Sequence, residues 1–268
     1  MRLTFKSLAA AWALTLLAPS ALWAQSALKL KVGVEGAYPP FSEAKAGGKV
    51  EGFDIDIANA LCEQMKAQCS FVQLDFDALI PALTAKKIDA IIASMSITEE
   101  RLKQIDFSDK YYHTPTRLVI KTGSAITPTP DGLKGKKLGV QRGTTHDKFV
   151  SVTFAQSDIQ RYANQEDSFK DLAAGKLDAV LVDTVNASWG FFKTPAGKGF
   201  SFAGQVYLDP KFFGYGAGVG VRKADAELRA KFNEAIAAIR KDGTYKKIND
   251  KYFDFDIYGG APIPIPRK

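Results

Sequence analysis

Beyond its first two dozen residues the chain holds no apolar run long enough to cross a bilayer, which takes about 20 residues. Histidine and cysteine are scarce: His113, His146, Cys62 and Cys69 are all there are. Two thiols with no histidine nearby make a poor metal site, so no metal is expected. No Walker pattern, nucleophile triad or cofactor loop occurs, so neither catalysis nor a cofactor is expected. Lysine and arginine outnumber aspartate and glutamate by 36 to 29, a formal charge of +7. They are scattered rather than clustered, which argues against nucleic acid as a partner. With 268 residues, 46% hydrophobic and 24% charged, the chain has material for one large globular domain or two ordinary ones.

The chain begins with Arg2 and Lys6, followed by "LAAAWALTLLAPSALWA" over residues 8–24. A basic start, a short apolar run broken by Pro19 and a small-residue end read as a secretory signal peptide, residues 1–24, cut after Ala24. Its removal takes two positive charges and lowers the net charge from +7 to +5. No cysteine stands at the cut, so no lipid anchor is expected there. Export puts Cys62 and Cys69 in an oxidising compartment, where a disulfide is expected in preference to two free thiols. Seven helical steps would hold their Cα atoms about 10 Å apart. A bridge needs less than about 7 Å. The helix carrying Cys62 must therefore end before Cys69, and "SFV" then follows as a strand.

The mature chain alternates strand and helix signals, an α/β pattern with mostly parallel sheets. "LKVGV" (30–34) reads as a strand, and "GFDIDIANALCEQM" (52–65) as a helix with Ile57, Leu61 and Met65 at helical spacing. "IDAIIAS" (88–94) reads as a continuous apolar strand covered on both faces. Two segments then repeat. "LTAKKIDAIIAS" (83–94) aligns without a gap on "LAAGKLDAVLVD" (172–183), and "VGVEG" (32–36) on "LGVQR" (138–142). Ser94 falls on Asp183, and Glu35 on Gln141. The offsets, 89 and 106 residues, imply two similar lobes, the first with about 17 extra residues between these strands. Ligands in open α/β sheets sit beyond the carboxyl ends of strands. Facing lobes would thus bring Glu35, Ser94, Gln141 and Asp183 to one cleft.

The chain is expected to leave lobe one through "YYHTPTRLVIK" (111–121) and return through "KFFGYGAGVGVRK" (211–223), a two-strand hinge. That gives lobe one residues 25–114 and 216–268, and lobe two residues 115–215.

"EGAYPPF" (35–41), "GFDIDIANALCEQMKAQC" (52–69), "DFDALIPALTAKKIDAIIASMSITEER" (75–101), "GVQRGTTHDKF" (139–149) and "DGTYKKINDKYFDF" (242–255) carry a resemblance that spans nearly the whole mature chain. It resembles the periplasmic amino-acid-binding proteins of ABC importers, solute-binding protein family 3, of the lysine/arginine/ornithine and arginine type. The resemblance implies a two-lobed (type II) periplasmic fold and a monomer that closes on one basic L-amino acid, arginine foremost. It also implies delivery of the closed form to a membrane permease.

Arg101 is the candidate for the ligand's α-carboxylate, since a guanidinium presents two parallel N–H donors. Ser94 and Ser96 could meet the α-amino and α-carboxylate groups through hydroxyls or backbone. Ala93 stands where related binders often carry serine, and so offers backbone only. Asp183 is the candidate for the α-ammonium. Thr144 and Thr145, after Gly143, could add donors at the carboxylate, and Gln141 lines the cleft beside them. Glu35 is the candidate for the distal cation, with Tyr38 and Phe76 sandwiching the aliphatic stem. His146 is read as a helix-start residue bordering the pocket, and Arg142 is expected to point its head into solvent. Two other readings are weighed: an exported dehydratase-like enzyme with Glu35 or His146 as acid or base, and the ligand-binding component of an amino-acid sensor.

Overall fold

The computed structural model describes residues 28–260 and residue 265, and the expected signal peptide lies outside them. Two five-stranded sheets organise the chain. The first runs Gln68–Gln73, Lys29–Val34, Ala90–Ile91, Ala217–Val221, Asp106–Tyr112. The second runs Asp158–Tyr162, Lys137–Gln141, Ala179–Asp183, Thr116–Lys121, Phe200–Tyr207. In each, three parallel strands are followed by one that pairs antiparallel to them. Helices cover the sheets, and none among the described residues is long and apolar enough to cross a membrane.

The two sheets repeat down to single residues. Val32 pairs with Ala90 and Gly33 with Ile91; in the second sheet Leu138 pairs with Ala179 and Gly139 with Val180. The pairs of the second sheet are those of the first carried over by the sequence offsets of 106 and 89 residues. The Lys31 amide donates to the Asp89 carboxylate at 2.9 Å, and the Lys137 amide to Asp178 at 2.8 Å. Gly33 and Gly139 have the same reason to be glycine: a Cβ would stand 2.5 Å from Ile88 Cδ1 and from Leu177 Cδ1 respectively. Most of the extra length of the first half forms a small three-stranded sheet, Ala37–Tyr38, Ser42–Ala44 and Val50–Glu51. The second half passes from Gln141 almost directly into the helix Thr145–Thr153.

"IDAIIAS" is less strand than its composition suggests. Only Ala90–Ile91 pairs, although residues 88–93 are all buried apart from half-buried Asp89. The chain then breaks at Ser94, whose φ of +54° is left-handed. A strand at that point would carry Ser94 past the cleft; the turn stops it there.

Apolar cores lie on both sides of each sheet. In the first, Phe53, Ile57 and Leu61 of the helix Phe53–Gln64 pack with Phe232, Ile236 and Ile239 of the helix Ala226–Lys241. In the second, Phe149, Val150 and Phe154 lie under one face, and Phe169, Leu172 and Phe191 under the other. The chain crosses from sheet to sheet twice, between Tyr112 and Thr116 and again between Phe213 and Ala217.

The helix Phe53–Gln64 ends before Cys69, Lys66 turns the chain at φ +52°, and the Cys62 and Cys69 Cα atoms come within 6.2 Å in a disulfide. The loop it closes is short, so its chain-entropy contribution is about 2–3 kcal/mol. Replacing both cysteines by serine should lower the unfolding free energy by about that amount, read from the urea midpoint at an unchanged m-value. An unchanged midpoint would show that the bridge contributes nothing to stability.

Candidate functional site

The carboxyl ends of the parallel strands of both sheets open onto one cavity lined from both halves. Glu35, Ser94, Gln141 and Asp183 all line it. So do Tyr38, Phe76, Ala93, Ser96 and Arg101 from the first half. Thr144, Thr145 and His146 line it from the second. The structure therefore brings every ligand-site candidate named from the sequence to one place.

Glu35 and Gln141, equivalent by the repeat, meet across the cleft: Gln141 Nε2 donates to Glu35 Oε1 at 2.7 Å. Glu35 is only 5% exposed. Burial raises its pKa from 4.5 to about 8 against the Gln141 hydrogen bond, and the carboxylates of Asp54, Asp75 and Glu166 add to the rise. Asp183 ends its strand as the N-cap of the helix Thr184–Ala187. Its Oδ1 accepts from the Val185 and Asn186 amides at 2.8 and 3.0 Å, and Oδ2 accepts from the Thr114 hydroxyl. Burial raises its pKa from 3.8 to about 6, opposed by these bonds.

Arg101 is the cavity's buried cation. The short helix Glu99–Leu102, capped by the Thr98 hydroxyl, carries it inward. Nη1 donates to the Ser96 carbonyl at 2.9 Å and Nη2 to the Gly143 carbonyl of the opposite half at 3.1 Å. The guanidinium lies 5.3 Å from the centre of the Phe76 ring. Burial lowers its pKa to about 10, so it stays charged at neutral pH. A guanidinium has five N–H donors, so two bonds leave it able to grip a carboxylate.

The hydroxyls divide into spent and available. Thr144 Oγ1 donates to the Gln141 carbonyl at 2.7 Å and accepts from the Asp147 amide, so it caps the helix and leaves only backbone for the cavity. Ser94 Oγ is likewise taken, donating to Asp54 behind it at 2.9 Å. The Ser96 and Thr145 hydroxyls have no hydrogen-bond partner among the described residues. Gly143 at φ +73° makes the turn the sequence suggested, but its amide serves Asp147 at 3.2 Å rather than the cavity. His146 sits in the first turn of its helix with Nε2 3.0 Å from Thr116 Oγ1. Burial, then the charge of Arg101, lowers its pKa to about 3, so it is neutral here.

Arg142 points its head toward solvent as expected, with the side chain 48% exposed, and there its Nε pairs with Asp77 of the other half at 2.6 Å. With Lys148 to Glu100, and Asn186 Nδ2 to the Pro39 carbonyl at 2.7 Å, it joins the halves on more than one flank of the cavity. The cleft is closed.

The sequence reading missed the cavity floor. Tyr112, His113, Thr114 and Thr116 line it from the outgoing crossing, and Phe213, Gly216 and Ala217 from the return. Both segments were legible as crossings. A crossing between lobes has to pass beneath the cleft they form, and that signal was available.

A cleft closed by two repeated α/β halves, with both crossings beneath it, is the architecture of a two-lobed periplasmic binding protein. The chain belongs to the bacterial extracellular solute-binding proteins, family 3, whose model matches residues 30–255. It is 53% identical over 232 residues to the L-arginine-binding protein of Pseudomonas aeruginosa, covering 86% of this chain and 90% of that one. It is 52% identical over 232 residues to the lysine/arginine/ornithine-binding periplasmic protein of Escherichia coli K12, covering 86% and 89%. Among solved structures, an ancestral arginine-binding protein bound to arginine superposes with a TM-score of 0.77 at 39% identity, covering 84% of this chain and 98% of that one.

Asp183 holds a helix end as well as facing the cavity, and the two roles separate by substitution. Asp183→Ala should lower the unfolding free energy by about 1 kcal/mol, while Asp183→Asn, whose side chain still accepts from the two amides, should cost about half that or less. Equal losses in urea denaturation would show that the cap does not depend on the side-chain oxygen.

Proposed function

We propose that this protein captures a basic L-amino acid, arginine foremost and also ornithine or lysine, and presents it to the permease of an ABC importer. Charge carries this reading. The cavity lining holds two buried carboxylates, Glu35 and Asp183, against one buried cation, Arg101, with His146 neutral. A guest with one carboxylate and two cationic groups matches that set end for end. Arg101 takes the α-carboxylate, helped by the Thr145 hydroxyl and the backbone at Thr144. Asp183 takes the α-ammonium, with Ser96 and the backbone of Ala93 and Ser94 beside it. Glu35, steadied by Gln141, takes the distal cation, with Tyr38 and Phe76 along the stem.

The lobes are residues 25–114 with 216–268, and 115–215, and they turn on the two crossings. Neither lobe alone completes the site, so a guest that bridges them favours the closed arrangement by its differential affinity. The protein is a monomer that works in the periplasm after removal of residues 1–24. The leader's composition and the periplasmic relatives support that placement. It binds without transforming its guest: Arg101 and Asp183 suit holding a zwitterion, and the curated relatives described above are named as binding proteins.

Titration calorimetry of the mature protein with L-arginine, L-lysine, L-ornithine, L-histidine and L-glutamate tests the reading. Tightest binding is expected among the basic ligands, and tightest binding of glutamate would overturn it. Asp183→Asn should weaken L-arginine by the worth of a charge-assisted bond, about 1.5–3 kcal/mol. An unchanged dissociation constant would place the amine elsewhere.

A further inference from the structure

One acid of the cleft region touches nothing in the cavity. Asp54, second residue of the helix Phe53–Gln64, is 0% exposed and stands behind Ser94. Its Oδ2 accepts from the Ser94 hydroxyl at 2.9 Å and its Oδ1 from the Tyr111 hydroxyl at 3.0 Å. The Ser94 amide closes the triangle by donating to Tyr111 Oη at 3.1 Å. Tyr111 Oη accepts from the amide, which leaves its one hydrogen for Asp54 Oδ1.

The triangle surrounds a strained residue. Ser94 is held at φ +54°, a region that costs a non-glycine residue about 1–3 kcal/mol unless its surroundings impose it. With its hydroxyl and amide both tied behind, the part of Ser94 left for the cavity is its carbonyl oxygen, which accepts no hydrogen bond among the described residues. A carbonyl oxygen at a cavity wall is an acceptor for an ammonium group. The repeat sharpens the contrast. In the second half the equivalent strand end is Asp183, which has φ −57° and faces its own carboxylate to the cavity. The first half keeps its carboxylate one layer back and presents a carbonyl instead.

We infer that Asp54, with Tyr111, is a positioning residue for the amine-binding wall of the cleft, acting through the left-handed turn at Ser94. This rests on the reading that the cleft takes an amino acid. Alanine at this position removes both acceptors and frees the Ser94 and Tyr111 hydroxyls, whereas asparagine keeps both contacts by donating an N–H to Ser94 Oγ, which accepts as well as donates. Glycine at position 94 adopts the left-handed conformation without strain and needs no carboxylate to hold it.

The test is a double-mutant cycle on the mature protein, read as the dissociation constant for L-arginine by calorimetry. Asp54→Ala alone should weaken binding about tenfold or more. Ser94→Gly alone should cost less, and Asp54→Ala should cost little more in the Ser94→Gly background. Losses that simply add, or an Asp54→Ala variant within about twofold of wild type, would overturn the inference. If Asp54→Ala does not fold, Tyr111→Phe takes its place in the same cycle with the same expected pattern, and unaltered binding there would overturn it equally. Failure of the wild-type protein to bind any basic amino acid would overturn the functional reading and this inference with it. Normal wild-type binding alongside an unaffected variant overturns the inference alone.

Discussion

The closed cleft depends on the charge of one buried carboxylate. Glu35 is enclosed by both halves of the molecule, and its hydrogen bond from Gln141 does not offset the loss of water. Its pKa of about 8 means that closing the cleft around an unmatched Glu35 is unfavourable at neutral pH. The group avoids the full cost of a bare buried charge by taking up a proton. A cation brought in by a guest removes that cost. The same lack of water that penalises the bare charge strengthens its pairing once matched. The ion pairs between the halves, Arg142 to Asp77 and Lys148 to Glu100, are solvent-exposed and contribute little by comparison.

This arrangement follows from duplication of a strand–helix plan. Each half ends its parallel strands at the same level, so side chains at equivalent positions converge when the halves face one another. Glu35 meets Gln141 because they are the same position in two copies. Different residues at equivalent places make the two walls unlike: a left-handed turn at Ser94 stands where the other half has the carboxylate of Asp183. The first half's small sheet, Ala37–Tyr38 to Val50–Glu51, adds Tyr38 to the cavity wall, for which the second half has no counterpart.

Much of this was legible in the residues. The gapless match of residues 83–94 to 172–183 made the two halves equivalent position by position. The carboxyl-end rule then named four cavity residues. Other features were not legible. The left-handed turn at Ser94 has no glycine to announce it, and its hydroxyl is bonded to a carboxylate 40 positions earlier in the chain. Which hydroxyls are free was hidden for the same reason. Thr144 and Thr145 are adjacent and chemically alike, yet one is consumed by its helix cap and the other is not. The pairing of Arg142 with Asp77 depends on how the halves meet, which local sequence does not encode.

The most direct measurement is the radius of gyration by small-angle scattering at pH 8, with and without L-arginine, for the wild-type protein and for Glu35→Gln. If an unmatched Glu35 charge opposes closure, wild type should be extended alone and compact with arginine, and should compact by itself as the pH falls from 8 toward 5. Glu35→Gln, lacking the charge, should be more compact than wild type at pH 8 without ligand and should lose the part of that pH dependence near pH 8, leaving the part due to Asp183 near pH 6. Identical dimensions for the two proteins without ligand, unaffected by pH, would contradict the account.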